Sequence, residues 1–319
     1  MKIRLGYVAI ALNLPKVTTS STVTFTNYNK IQGEENKLNK LKKVGLSNLE
    51  DLHTILEYNI ENNIHFYRIT STLIPLSTHP EVEFNYRNIF KKDFEKVGKL
   101  INSTNMRVDT HPNEFNVINS IRPEVVHNTI RNLWPHVHLF EDLNYPKGKM
   151  VIHVGSSKGG KDIALKRFKD NITSKIPQEI SNKLIIENDD KTFNILEVLS
   201  LCKDLSLPMV LDVHHHNCNN SGENLKDFIE DIFNTWNNES LPPKIHFSSP
   251  RDYDNDRKHA DFIDAESFIE FLDMCKVIDR DFDIMLESKK KDLALYKLVE
   301  DIKKLRPNWV WEDSSTLVI

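Results

Sequence analysis

Thiol chemistry is scarce in this chain: Cys202, Cys218 and Cys275 are the only three cysteines in 319 residues, and they are widely scattered. An odd, dispersed set excludes a disulfide framework and a Cys-x-x-Cys metal site, and fits a reduced, intracellular protein. Long apolar runs are missing as well, so no membrane span is expected. The opening MKIRLGYVAIAL puts a short apolar segment behind two basic residues, without the length or cleavage site of a secretory signal, and reads as a first strand. Basic excess is absent: 42 Lys and Arg against 46 Asp and Glu give a net charge of −4, which counts against an overall basic coat but says nothing of local charge. Nor is there a Gly-x-Ser-x-Gly elbow, a Walker loop or a dinucleotide Gly-x-Gly-x-x-Gly, so no nucleotide cofactor is expected. The glycine-rich turn Gly155–Gly160 lacks Walker spacing; it is either a plain flexible loop or a place where Lys158 meets a phosphate.

What is there is a regular alternation. Short, mostly β-branched apolar runs occur at Ile3–Ile10, His65–Thr70, Arg107–Pro112, Met150–Gly155, Leu184–Asp189, Pro208–His214, Lys244–Ser249 and Asp283–Ser288, and they predict strands. Segments between them carry apolar residues three or four apart, as at Leu49, Leu52, Ile55, Leu56 and Ile60, and predict helices. Eight such units predict a (β/α)8 TIM barrel with its site at the C-terminal strand ends, the alternative being a doubly wound open sheet. With 39 % hydrophobic and 28 % charged residues and no linker, repeat or low-complexity tract, residues 1–319 are expected to form one domain. Residues 14–46, polar and too long for an ordinary βα connection, are expected to be a functional loop. The tail 305–319, with Trp309 and Trp311, is expected to pack across the barrel bottom.

Polar residues on those strands carry the chemistry. His111, His153, Glu187, Asp212, His246 and Glu287 fall at or near the C-terminal ends of strands three to eight. A buried carboxylate or imidazole without a partner costs several kcal/mol, on the order of 2–7, so each needs a reason to be there. Taken singly, His153 reads as a hydrogen-bonded core histidine, and Glu187 and Glu287 as partners of barrel lysines. Six on one end of adjacent strands point instead to a shared metal site. His215, three residues after Asp212, and His259, thirteen after His246, extend the set, while His214 and His216 read as spectators. These nitrogen and oxygen donors suit two or three divalent ions, Mn, Zn, Mg or Fe, and favour displacement at phosphorus without a side-chain nucleophile.

At these residues the chain resembles the UV damage endonucleases, through R-L-G-Y, T-H-P, I-H-V-G, I-E-N-D-D, D-x-H-H, K-I-H-F-S and M-L-E-x-K, in order from the first strand to the eighth. The ligand scheme is similar to that of the endonuclease IV type. The resemblance implies a trinuclear site, usually Mn2+, acting on damaged double-stranded DNA and incising immediately 5′ to a UV photoproduct to leave 3′-hydroxyl and 5′-phosphate ends. It implies that His111, His153 and Glu187 hold one ion, that Glu187 bridges to a second with Asp212, His246 and Glu287, and that His215 and His259 hold the third. Lys244 matches a family lysine that is carboxylated and helps bind metal; read from the sequence alone it is equally an ionised lysine on a phosphate. Tyr7 matches a family tyrosine beside the site, with Asn13 as the weakly aligned family asparagine, and Lys158 and Lys289 complete the expected DNA contacts. The family fills the emptied duplex with a Gln–Tyr pair after its His-Pro; here Glu114 and Phe115 stand there, so Phe115 is the expected wedge and Glu114 a departure that puts a carboxylate near DNA. The chain is expected to act as a monomer.

Two other classes remain in view. A metal-dependent sugar isomerase or epimerase uses the same barrel, but needs about two metals and a carboxylate-rich shell, against five histidines beside three acids here. A non-catalytic metal-stabilised barrel fits an open, polar multi-metal site poorly.

Overall fold

Runs such as LIIE and MVLD are apolar on both faces, as strands covered on both sides must be, and they form a closed parallel sheet in the computed structural model, which describes residues 1–319. The strands are β1 Lys2–Val8, β2 Phe66–Ile69, β3 Arg107–Thr110, β4 Lys149–His153, β5 Leu184–Glu187, β6 Met209–Asp212, β7 Lys244–Phe247 and β8 Phe282–Leu286. Each pairs in parallel with its sequence neighbour, and β1 meets both β2 (Gly6 opposite Phe66) and β8 (Ile3 opposite Phe282), which closes the ring. Helices run between the strands, so the fold is a (β/α)8 barrel and the open sheet is excluded.

Period-two alternation splits the strand residues between two cores. Ile152, Ile186, Leu211, Ile245 and Ile284 face the helices and belong to an apolar cluster of 70 residues. Val151, Ile185 and Val210 face the barrel axis, where with Trp236 they form a small separate plug. The residues two further along those strands, His153, Glu187 and Asp212, therefore lie directly above the plug, toward the C-terminal mouth.

Three details differ from the sequence expectation. The first long helix spans Glu34–Glu61, so residues 34–46 are helical and the loop after β1 ends at residue 33, itself holding a short helix at Phe25–Asn29. Its first turns pack Leu38, Leu41 and Val44 on the core, but among residues 34–43 only the two leucines are apolar, so the periodicity is plain only from Leu49. The sixth strand stops at Asp212, and Val213 and His214 begin the helix Val213–Cys218. The tail forms a hairpin, β9 Val310–Trp311 and β10 Thr316–Val318, and β10 pairs antiparallel with Lys2–Arg4 of β1. The first half of β1 thus takes the tail and its second half takes β2, with His65 Nε2 2.9 Å from Asp313 Oδ2 nearby. The tail lies at the end of the barrel opposite the mouth. No helix is long and apolar enough to cross a membrane.

Candidate metal centre

Glu187 ends β5 almost wholly buried and places its carboxylate where four imidazoles converge. Oε2 is 3.0 Å from His111 Nε2 and 3.5 Å from His153 Nε2; Oε1 is 2.6 Å from His246 Nδ1 and 3.6 Å from His215 Nδ1. Three sets of ligand-type atoms follow, each within 4.8 Å of one another: His111, His153 and Glu187; Glu187, Asp212 and His215; Glu187, His246 and Glu287. Glu187 is the member common to all three.

Local backbone chemistry fixes the middle set. Asp212 is the N-cap of Val213–Cys218, its Oδ1 accepting from His215 N at 2.7 Å, so the helix start turns the His215 ring back toward the carboxylate that caps it. Asn188, next after Glu187, clasps β6: its Nδ2 donates to Asp212 O at 3.0 Å and its Oδ1 accepts from Asp212 N at 2.9 Å. Asn188 O in turn accepts from His215 Nδ1 at 2.9 Å. Asp212 Oδ2 is buried and has no hydrogen-bond partner, the state of an oxygen that a cation would satisfy.

Glu287, just past β8, lies 3.2 Å from His246 Nδ1 through Oε1. His259 stands at the rim, its Nδ1 2.6 Å from Glu287 O, which leaves Nε2 as the ring atom it offers; its ring centroid is 6.4 Å from that of His215. His214 packs edge-on against His259 at 5.4 Å and, like His216, joins none of the three sets. In the expected four-ligand group of Glu187, Asp212, His246 and Glu287, His246 Nδ1 lies 2.6, 3.2 and 3.9 Å from Glu187 Oε1, Glu287 Oε1 and Asp212 Oδ2, and Asp212 Oδ2 lies equally near His215 Nδ1, at 3.8 Å.

Two residues in the cluster carry no expectation from the sequence reading. Arg68 of β2 points along the axis, with Nη1 2.5 Å from Glu287 Oε1, Nη2 2.5 Å from His246 Nε2 and Nε 3.5 Å from Asp109 Oδ1. Asp109 of β3 also receives Lys244, whose Nζ is 2.5 Å from Oδ2. A charged residue in the middle of a buried strand, FYRI or RVDT, is the signal that could have found both. Lys244 is fully buried below His246 on the same strand face.

Tyr7 corrects an expectation. It is fully buried on the outward face of β1, its hydroxyl donating to Asn59 Oδ1 at 2.6 Å on the Glu34–Glu61 helix, so it neither joins the cluster nor reaches a ligand at the mouth. The other expected contact residues, Asn13, Glu114, Phe115, Lys158 and Lys289, are exposed; Asn13 donates to Tyr58 Oη at 3.0 Å.

Electrostatics match a site built for cations. Burial opposes ionisation of Glu187, yet His246 and His153 hold its carboxyl well below the usual range. Glu287 is also held well below, against burial, by Arg68 and then His246. Burial, with Glu187 and Glu287 close by and His215 opposing, pushes Asp212 up to about 8. His215 is raised to about 9, since Asp212, Glu187 and Glu287 outweigh its burial. Burial drives His246 down to about 3 and Lys244 down to about 7. With no ion bound, protons on Asp212 and His215, together with Arg68, offset Glu187 and Glu287; divalent ions would take the place of those protons, and the donor set, all nitrogen and oxygen, fits them.

Comparison with known proteins gives a consistent result. The family model described as UV-endonuclease UvdE matches residues 3–310. A UV DNA damage endonuclease of Bacillus cereus (strain B4264) is 40 % identical over 307 residues, covering 96 % of each chain. The crystal structure of SacUVDE superposes with a TM-score of 0.84 at 34 % identity, over 95 % of this chain and 99 % of that one. A 3-keto-D-glucoside 4-epimerase from E. coli, YcjR, superposes at 0.56 with 11 % identity over 95 % of this chain and 99 % of its own, which shows a common barrel and no more. The chain belongs to the UV DNA damage endonuclease family and is a DNA repair endonuclease.

Proposed function

We propose that this chain hydrolyses one phosphodiester bond of damaged double-stranded DNA immediately 5′ to a UV photoproduct, leaving a 3′-hydroxyl and a 5′-phosphate, with two or three divalent ions held at the barrel mouth. Mn2+ is the first choice of metal, with Zn, Mg or Fe as alternatives. The observation that carries the reading is Glu187, one carboxylate shared by three ligand sets. His111 and His153 would hold one ion with it, Asp212 and His215 a second, His246 and Glu287 a third, with His259 at the rim. Such ions lower the pKa of a bound water and neutralise charge on the phosphoryl oxygens.

The chain's own residues do the rest. The Asn188 clasp and the Asp212 cap hold ligands in place before DNA arrives. Arg68 fixes Glu287 from beneath. Lys244 with its depressed pKa is an amine that CO2 can add to, with loss of a proton, converting a cation into an oxygen ligand. Phe115, 76 % exposed on the loop after β3, is the side chain that can enter the stack when the lesion swings out. Lys158 and Lys289, both exposed, would meet phosphates. The enzyme works as a monomer on intracellular DNA without a nucleotide cofactor. The test is supercoiled plasmid with Mn2+, irradiated or not: nicked circles should form only after irradiation, and equal nicking of both samples, or none with any metal, would sink the lesion-specific reading.

A further inference from the structure

Away from the metal cluster, the loop 70–85 and the helix Pro123–Asp142 enclose two adjoining recesses that nothing above employs. The outer one, about 470 Å³, has Phe84, Tyr86, Trp134 and His138 in its wall together with Arg87 and Arg131. Trp134 and His138 stack at 5.4 Å, one helical turn apart, and Phe84 lies 6.2 Å from Tyr86. The inner one, about 320 Å³, is polar, with His79, Asn113, Asn116 and Asn132 in its wall. Asn113 and Asn116 flank Glu114 and Phe115, so the inner recess runs up to the proposed wedge.

Arg131 lines both recesses at their junction. Arg87 is neutralised by Glu141 and Asp142, at 3.0 and 2.6 Å, whereas Arg131 takes part in no ion pair and its Nε is buried without a hydrogen-bond partner. The hydroxyl of Tyr86, a residue 8 % exposed, is likewise buried without a partner. Of the two arginines in these recesses, Arg131 is the one without a counter-charge. An arginine between an aromatic wall and an amide-rich wall, next to the wedge loop, has the composition that holds a phosphate while a base stacks beside it.

We propose that this double recess is a second DNA contact, taking one unpaired nucleotide of the substrate flanking the lesion: its phosphate on Arg131, its base against Trp134 and its sugar toward Asn113 and Asn116. It rests on the reading that the barrel mouth acts on DNA, and the experiment separates the two. Binding is measured by fluorescence anisotropy on the metal-loaded protein, with a labelled lesion-free duplex carrying a short single-stranded gap and with the same duplex fully paired, both run on a gel to show that no strand is cut. For the wild type the gapped duplex should bind more tightly. Trp134→Ala should remove about five- to a hundredfold of that preference, the range of one base–aromatic stack. Arg131→Gln should lower the slope of log affinity against log salt by about one. Both variants should keep the wild-type metal content, since neither residue belongs to a ligand set. If both bind gapped and paired duplex as the wild type does, the recess is not a nucleotide site, whatever the plasmid nicking shows; if the wild type binds neither duplex, the DNA reading itself falls.

Discussion

Arg68 Nη2 stands 2.5 Å from His246 Nε2. Guanidinium nitrogens only donate, so Nε2 is the acceptor and the ring proton sits on Nδ1, directed at Glu187 Oε1 at 2.6 Å. The fixed charge of Arg68 occupies space among Glu287, Asp109 and His246 that is negative or proton-accepting. Arg68→Met leaves Glu287 without its guanidinium and Asp109 with Lys244 alone, and losing one partner of a buried ion pair costs about 3–5 kcal/mol. A cation bound to Glu187, His246 and Glu287 would take over part of that neutralisation. Urea denaturation should therefore show the full loss in EDTA and a smaller loss with saturating Mn2+. An equal loss in both would mean Arg68 and the ion do not share these carboxylates.

Glu114 and Phe115 separate charge from shape at one loop. Phe115→Ala should cut the ratio of nicking on irradiated over intact plasmid about tenfold, the scale of one aromatic stack, while elemental analysis finds metal content unchanged. Selectivity that survives the substitution removes the wedge. Glu114→Gln should instead tighten DNA binding roughly two- to fivefold at low salt, an effect that fades as salt screens an exposed charge. An identical gain at all salt concentrations would show that the amide makes a contact rather than relieving repulsion.

The sequence made the barrel and the ligand set legible for one reason: inward positions of a parallel strand are fully buried, so a His or carboxylate there stands out against Val and Ile. The same rule applied to FYRI and RVDT yields Arg68 and Asp109, which were passed over because neither is a usual ligand near the strand's C-terminal end. Tyr7 shows the reverse. It is one residue out of phase with Gly6 and Arg4, so alternation alone puts it on the helical side. The helix start at Glu34 is hidden because Leu38 and Leu41 are the only apolar residues among 34–43, too few to show a period. The finer split of ligands depends on the Asp212 cap and the Asn188 clasp, which are contacts between backbone and side chain that spacing does not encode.

Proton competition sets the pH at which the Asp212 and His215 set can take a cation. Folded Asp212 holds its proton up to about pH 8 against an ordinary 3.8, and His215 up to about pH 9 against 6.5. Both values are raised, so in the metal-free protein Asp212's contribution to stability is complete below pH 3.8 and lost as pH rises through 8, and His215's is complete below 6.5 and lost through 9. A metal reverses this by replacing the protons. The rise in melting temperature on adding Mn2+ should grow from pH 6.5 to pH 9, and calorimetry in two buffers of different ionisation enthalpy at pH 7 should report proton release on binding. A metal-induced shift that stays flat across this range would place the ion elsewhere.

Bridging is the property that makes Glu187 unlike its neighbours. Glu187→Gln keeps the shape of the side chain but replaces one oxygen by a donor that faces His111 or His246, both of which lie within 3.0 Å of the carboxylate. No cation can share that edge. Nicking of irradiated plasmid should fall by more than about a hundredfold, since even partners outside the ligand shell cost ten- to a hundredfold. Elemental analysis of the purified protein should show two or more ions lost together. Asp212→Asn is the control, because Asp212 belongs to only one of the three sets and should lose a single ion. Equal losses for the two variants would show that Glu187 serves one ion like any other ligand, and the shared-carboxylate site would have to be abandoned.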